Sequence, residues 1–329
     1  MKSALLTTQQ AAESIAQGKR LLLAGDGNLL AKLPSGVWIG GTSSYFMTSQ
    51  ANICSHEHVF AIELPNEVGV VSIAELDVAS LPDIYSFMPK NGFGIVIMPA
   101  GSAVHADFAM NAPYYNGFAS SPLIGWVSCT HVGEAGKTAP EVYSGKSRAA
   151  ITDRAVVLYA ELPANFYSSI EILNLFEPAD GDRITFDLAG FSADTARVNG
   201  REQPFGAYIA EKGLDIRLPL VADYSGSMIN ISIQNVDPVT GRVSFYAPVF
   251  PGICYRQAKP VCNQVTAFQA RMPQIRLGNM AFACNCYLNY VYSELEGKNT
   301  NGIAGPITFG EIAYQLLNQT MVYLSISSV

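Results

Sequence analysis

Cys54, His56 and His58 alternate along one short stretch, so on an extended strand their side chains would project to one face. A thiolate and two imidazoles on one face are ligands for zinc, copper or haem iron. Two of the chain's four histidines stand here, and no fourth ligand is close in sequence. The plain alternative is a half-exposed strand with a polar residue at every second place. Cys284 and Cys286 share a face in the same way, but their single-residue gap lacks the two-residue spacing with which a zinc knuckle wraps its ion, so buried core thiols are expected. A thiol enzyme using Cys284 would need a histidine or cation beside the sulfur. No histidine follows His131, so such a pair must span both halves of the chain.

Two glycine-rich stretches are weaker signals. Gly133 to Thr138 ends like a phosphate loop, yet His131 stands where the first glycine is needed, and Pro140 with β-favouring residues follows where a helix must open. Gly25-Asp26-Gly27 begins like a dinucleotide fingerprint, but Leu30 replaces its third glycine, leaving a tight turn. No GxSxG elbow is present, and no acid/base pair of carboxylates stands out.

The elements that must position these residues belong to an α/β chain. Thr7 and Gln10 form a capping box, Ala11, Ala12, Ile15 and Ala16 give a helical face, and Gly18 is a stop. Apolar runs at 20–24 and 37–41 flank a helix at 28–33, which reads as strand, helix, strand. The runs 59–64 and 68–73, separated by Pro65-Asn66-Glu67, read as a hairpin. A helix near 78–87, a strand at 93–98, a helix at 102–110 and strands at 123–129 and 153–162 continue the pattern. Pro163-Ala164-Asn165 marks a junction between residues 1–164 and 165–329. The second half reads as a helix near 204–211, hairpin arms at 227–234 and 241–246, a helix at 261–271, a strand at 280–284, a helix at 287–295 and a closing strand at 321–326.

Composition sets the outer bounds. The 329 residues are 49% hydrophobic and only 14% charged, which excludes a disordered chain or coiled coil and leaves room for a homodimer interface. A net charge of −7 argues against nucleic acid. Mean hydropathy is +0.19, yet the longest apolar runs fall far short of the ~20 residues that span a bilayer. Polar Gln9, Gln10 and Glu13 arrive before an apolar leader could form, so the expected compartment is the cytoplasm. Six sparse cysteines read as reduced thiols.

Several stretches together resemble the FIST sensory-domain family, in which a FIST N-terminal domain is joined to a FIST C-terminal domain. Ala283-Cys284-Asn285-Cys286, then Gly305 to Ile312 (GPITFGEI), then Leu317-Asn318-Gln319-Thr320-Met321 look like that family's cysteine strand, Gly-Glu-Ile segment and closing strand. Arg197-Val198-Asn199-Gly200, Leu218-Pro219-Leu220 and Gly241 to Phe245 fit the same domain. Trp38 to Ser43 (WIGGTS) is similar to the N-terminal domain's first glycine-rich strand end, and Ile124-Gly125-Trp126, Val142 to Gly145 and Ala155 to Leu158 to its second. The family often has an arginine about three residues after its cysteine; that position here is Tyr287, so this chain reads as a divergent branch. The resemblance implies a small-molecule-binding sensory module, not an enzyme, whose signal passes through a separate signalling protein or a change of oligomer. It implies ligand contacts at Gly40, Gly41, Thr42, Cys284, Asn285, Gly310 and Glu311 in a cleft between the two halves. No cofactor is required by that reading. A haem- or metal-binding sensor using His56 or His58 is the alternative, and a thiol enzyme using Cys284 a second.

Overall fold

The computed structural model describes residues 2–134, 136–224, 226–261, 264–271 and 279–329. Strand makes up 43% and helix 17%, arranged as mixed sheets flanked by a few helices, an α/β fold. Six α-helices occur among the described residues: α1 (Thr8–Ala16), α2 (Gly27–Leu30), α3 (Ala103–Asn111), α4 (Phe205–Lys212), α5 (Gln264–Arg271) and α6 (Tyr287–Tyr292). The capping box expected at the first is present: Gln10 N–H donates to Thr7 Oγ1 at 3.2 Å, and Thr7 N–H to Gln10 Oε1 at 2.9 Å. Gly18, at φ +79°, ends it where an L side chain would be strained.

Sheet I runs Lys2–Leu6, Val59–Glu63, Leu21–Gly25, Trp38–Thr42, Val142–Ser144. Sheet II runs Gln315–Leu317, Glu311–Ala313, Leu123–Ser128, Gly92–Pro99, Ala155–Glu161, Val71–Leu76. Sheet III runs Phe166–Asn174, Thr320–Ser328, Met280–Cys286, Gly305–Thr308, Tyr45–Met47, Asn52–Cys54. Sheets II and III each draw strands from both sides of residue 164, so neither half completes its sheets alone. Two further sheets, one of six strands holding Leu220–Tyr224 and one of three strands pairing Gly190–Ala193, Val243–Val249 and Ile233–Val236, belong to the second half.

Central strands such as Gly92–Pro99 and Leu123–Ser128 are buried along their whole length, which is why they read as continuous apolar runs without alternation. Trp126 ties three sheets together. A Cβ on Gly41 of sheet I would lie 3.0 Å from Trp126 Nε1 and 2.6 Å from Ile97 Cγ2, and the Trp126 ring stacks on Phe282 of sheet III at 5.5 Å. Each such buried aromatic contributes roughly 1.5–3 kcal/mol through the area it removes from water.

Several expectations need correction. The runs at 59–64 and 68–73 are not a hairpin: the first enters sheet I and the second, as Val71–Leu76, the edge of sheet II. Their local turn is real, but burial in two different sheets outweighs it. The helix at 28–33 is a single turn, and the segment near 78–87 is a 3-10 helix, Leu81–Phe87, with Pro82 in its first turn. Ser227–Ile231 pairs back with Leu220–Tyr224, so the second-half hairpin is Ile233–Val236 with Val243–Val249. The helix expected over 261–271 spans Gln264–Arg271, and Cys262 lies outside the described residues. Among the described residues no helix is long and apolar enough to cross a membrane.

Candidate functional site

Three strand–helix–strand units contain parallel pairs: Leu21–Gly25 with Trp38–Thr42 around α2, Gly92–Pro99 with Leu123–Ser128 around α3, and Met280–Cys286 with Gly305–Thr308 around α6. In open α/β sheets ligands bind beyond the carboxyl ends of such strands, where the chain leaves the ladder and its polar groups are free. The α3 and α6 units direct those ends to one cleft of about 690 Å³. Residues 1–164 supply Ala100, Gly101, His105, Ala106, Val127 and Val132. The second half supplies, among others, Phe191, Gln234, Ser244, Tyr246, Cys286 and Tyr287.

The lining is mostly apolar and contains no Asp, Glu, Lys or Arg among the described residues. Burial lowers the pKa of His105 to about 4, and its Nδ1 accepts from Gly101 N–H at 3.2 Å, so the ring is neutral with its proton on Nε2. Burial also pushes the Tyr246 hydroxyl up to about 12, raises that of Tyr287, and holds the Cys286 thiol well above its ordinary value. The wall is therefore uncharged at neutral pH, with hydroxyl, amide and imidazole groups as its polar contacts. The sequence signal for half of it was the apolar strand followed by Gly101-Ser102 and a helix start; Phe191, Gln234 and Ser244 come from distant strands, which no local pattern brings together.

The residues implied by resemblance are placed otherwise. Gly40 and Gly41 are buried in sheet I, where their missing Cβ atoms let Leu23, Ile97 and Trp126 pack close. Cys284 is fully buried, and its thiol donates to Gly125 O at 3.3 Å. Burial and the Glu311 carboxyl hold that thiol well above its ordinary pKa, the opposite of what a thiolate nucleophile needs. Asn285 is a buried organiser: its Oδ1 accepts from Cys286 N–H at 2.9 Å and from Asn289 Nδ2 at 3.0 Å, fixing the start of α6. Gly310 packs on Leu316 and its carbonyl accepts from Val127 N–H at 2.9 Å. Glu311 is 0% exposed, with Oε2 accepting from Thr320 N–H at 3.2 Å and Thr320 Oγ1 at 2.8 Å. Burial raises its pKa to about 8, so it is largely protonated at pH 7. None of these seven lines the cleft; Cys286, two residues after Cys284, does.

Thr42 lines a different cavity, of about 360 Å³, at the carboxyl ends of the α2 unit. Its Oγ1 accepts from Glu141 N–H at 3.0 Å, pinning the strand Val142–Ser144. Asp26, Glu134 and Glu141 line the same cavity, with no Lys or Arg among its described lining. The strand Asn52–Cys54 ends at Cys54 itself, so the single-face arrangement of Cys54, His56 and His58 does not form. His58 Nδ1 instead pairs with Ser55 Oγ at 3.0 Å.

A model of a family of unknown function, DUF6976, matches residues 6–327, and the chain belongs to that family. No curated protein matches the chain.

Proposed function

We propose that this protein binds a small, uncharged and largely apolar molecule in the cleft between its two halves, acting as a sensory or signal-transduction module and not as an enzyme. The observation that carries this reading is the cleft: about 690 Å³, walled by both halves at the carboxyl ends of two parallel strand pairs, with no Asp, Glu, Lys or Arg among its described lining residues. Its volume lies within the range of small-molecule sites, and burying a charge against such a wall would be costly. The lining also argues for binding over turnover, because His105 is neutral and Cys286 is held as a thiol, so neither is primed as an acid or nucleophile.

The sensory part rests on the resemblance to the FIST family, with the cleft speaking only to the ligand. A molecule touching both halves would bias how they pack, and that bias would pass to a separate signalling protein or to a homodimer contact. The test uses the neutral dye N-phenyl-1-naphthylamine, followed by fluorescence. The expected result is saturable binding near one dye per chain, lost in Ala106→Trp, where an exposed helix position on the cleft wall gains a bulky ring. Equal dye binding by wild type and Ala106→Trp, with both folded, would remove the cleft from the account.

A further inference from the structure

We propose that Cys54, His56 and His131 form a site for one divalent metal ion of zinc type, with a fourth coordination position open to solvent. Their ligand atoms lie within 4.8 Å of one another. Cys54 ends an edge strand of sheet III, His56 follows two residues later in the same segment, and His131 comes from the segment after the central strand of sheet II, so two distant parts of the fold converge. Ligands around tetrahedral zinc at 2.0–2.3 Å stand roughly 3.3–3.8 Å apart, so the set must close by about 1 Å. His56 is exposed and its rotamers allow that movement.

Two further observations point to a ligated ion. His56 Nδ1 lies 2.7 Å from Asp26 Oδ2, and Asp26 Oδ1 in turn accepts from Ser44 Oγ at 2.8 Å. This is the carboxylate–histidine arrangement that fixes a metal-binding imidazole, leaving Nε2 as its donor. His131 stacks on Tyr45 at 5.5 Å and meets His56 edge-on at 4.9 Å, which holds two imidazoles together. His131 also borders both the acidic cavity and a neighbouring one lined by Glu294, Glu296 and Lys298, so around it carboxylates outnumber the single ammonium group. Its Nδ1 accepts from Gly133 N–H at 3.1 Å; coordination there, or through Nε2 after a tautomer change, releases that exposed N–H to water. One thiolate and two imidazoles suit Zn2+ and Co2+ better than Mg2+ or Ca2+.

The test is titration of the full chain, prepared free of metal, with Co2+, read by the thiolate-to-cobalt absorption band and by displacement with Zn2+. Wild type should bind one ion per chain. Cys54→Ser should abolish the thiolate band, and His56→Ala, at an exposed position, should abolish stoichiometric binding, while His58→Ala binds as wild type. Asp26→Asn should weaken binding by about 10–100-fold. Absence of a thiolate band in wild type, or unchanged binding in the folded His56→Ala protein, overturns the site.

Discussion

The seam between sheets II and III and the cleft beyond it are separated by two residues along one strand, Cys284 to Cys286, yet they differ in every property that matters for function. The seam is closed: Cys284, Asn285 and Glu311 are all 0% exposed, and Cys284 Sγ, Asn285 Oδ1 and Glu311 Oε2 each hydrogen-bond to a neighbouring group. The cleft opens beyond the carboxyl ends of the α3 and α6 units, and side chains of the paired strands Ile233–Val236 and Val243–Val249 close its far wall. A distinctive residue inside a strand reports how the core is built, whereas the same strand's carboxyl end reports what the protein touches.

The largest effect expected from sharpening this contrast is at Gly125. A Cβ there would overlap the Val96 backbone carbonyl, which cannot move aside as a side chain does. Gly125→Ala should cost on the order of 3 kcal/mol or more, measured by denaturant unfolding. A stability within about 0.5 kcal/mol of wild type would break the picture of close packing between Gly92–Pro99 and Leu123–Ser128, the strands of sheet II behind the seam.

Glu311 gives the next effect, through pH. Its folded pKa is raised to about 8 from an ordinary value of 4.5. Below pH 4.5 both folded and unfolded chains hold the proton and its contribution is complete. Between 4.5 and about 8 only the folded chain keeps it, so stability falls as pH rises, by at most about 1.4 kcal/mol per pH unit. Chemical unfolding at pH 5 and pH 8 checks this, and Glu311→Gln should flatten that part of the slope. Identical slopes in the two proteins would mean that the carboxyl is not buried as a neutral acid.

The cleft should behave in the opposite way. With His105 protonating only near pH 4 and the tyrosines neutral, dye affinity should be flat between about pH 5.5 and 9. An affinity that changes tenfold across that window would place an ionised group in the wall. Ala106→Trp, on the exposed side of α3, should change stability by less than about 0.5 kcal/mol while removing dye binding.

Much of the fold was legible because strong local signals agreed with burial. The Thr7–Gln10 capping box, the strand read at 93–98 and the helix read at 102–110, and the β–α–β order around α2 each survive in the structure. The register of sheets II and III was not legible, because Tyr45–Met47 and Glu311–Ala313 pair across the whole chain and nothing local announces such partners. The same reason hid His131 as the companion of Cys54 and His56. Tyr287, noted only as a departure from the resembled family, lies on the cleft wall.

Native mass spectrometry of freshly purified wild type beside Ala106→Trp tests the central claim most directly. The account predicts a small organic mass retained by the wild type under native conditions, lost on denaturation and missing from Ala106→Trp. The same mass on both proteins, or no such mass on either together with no cleft-dependent dye binding, would contradict it.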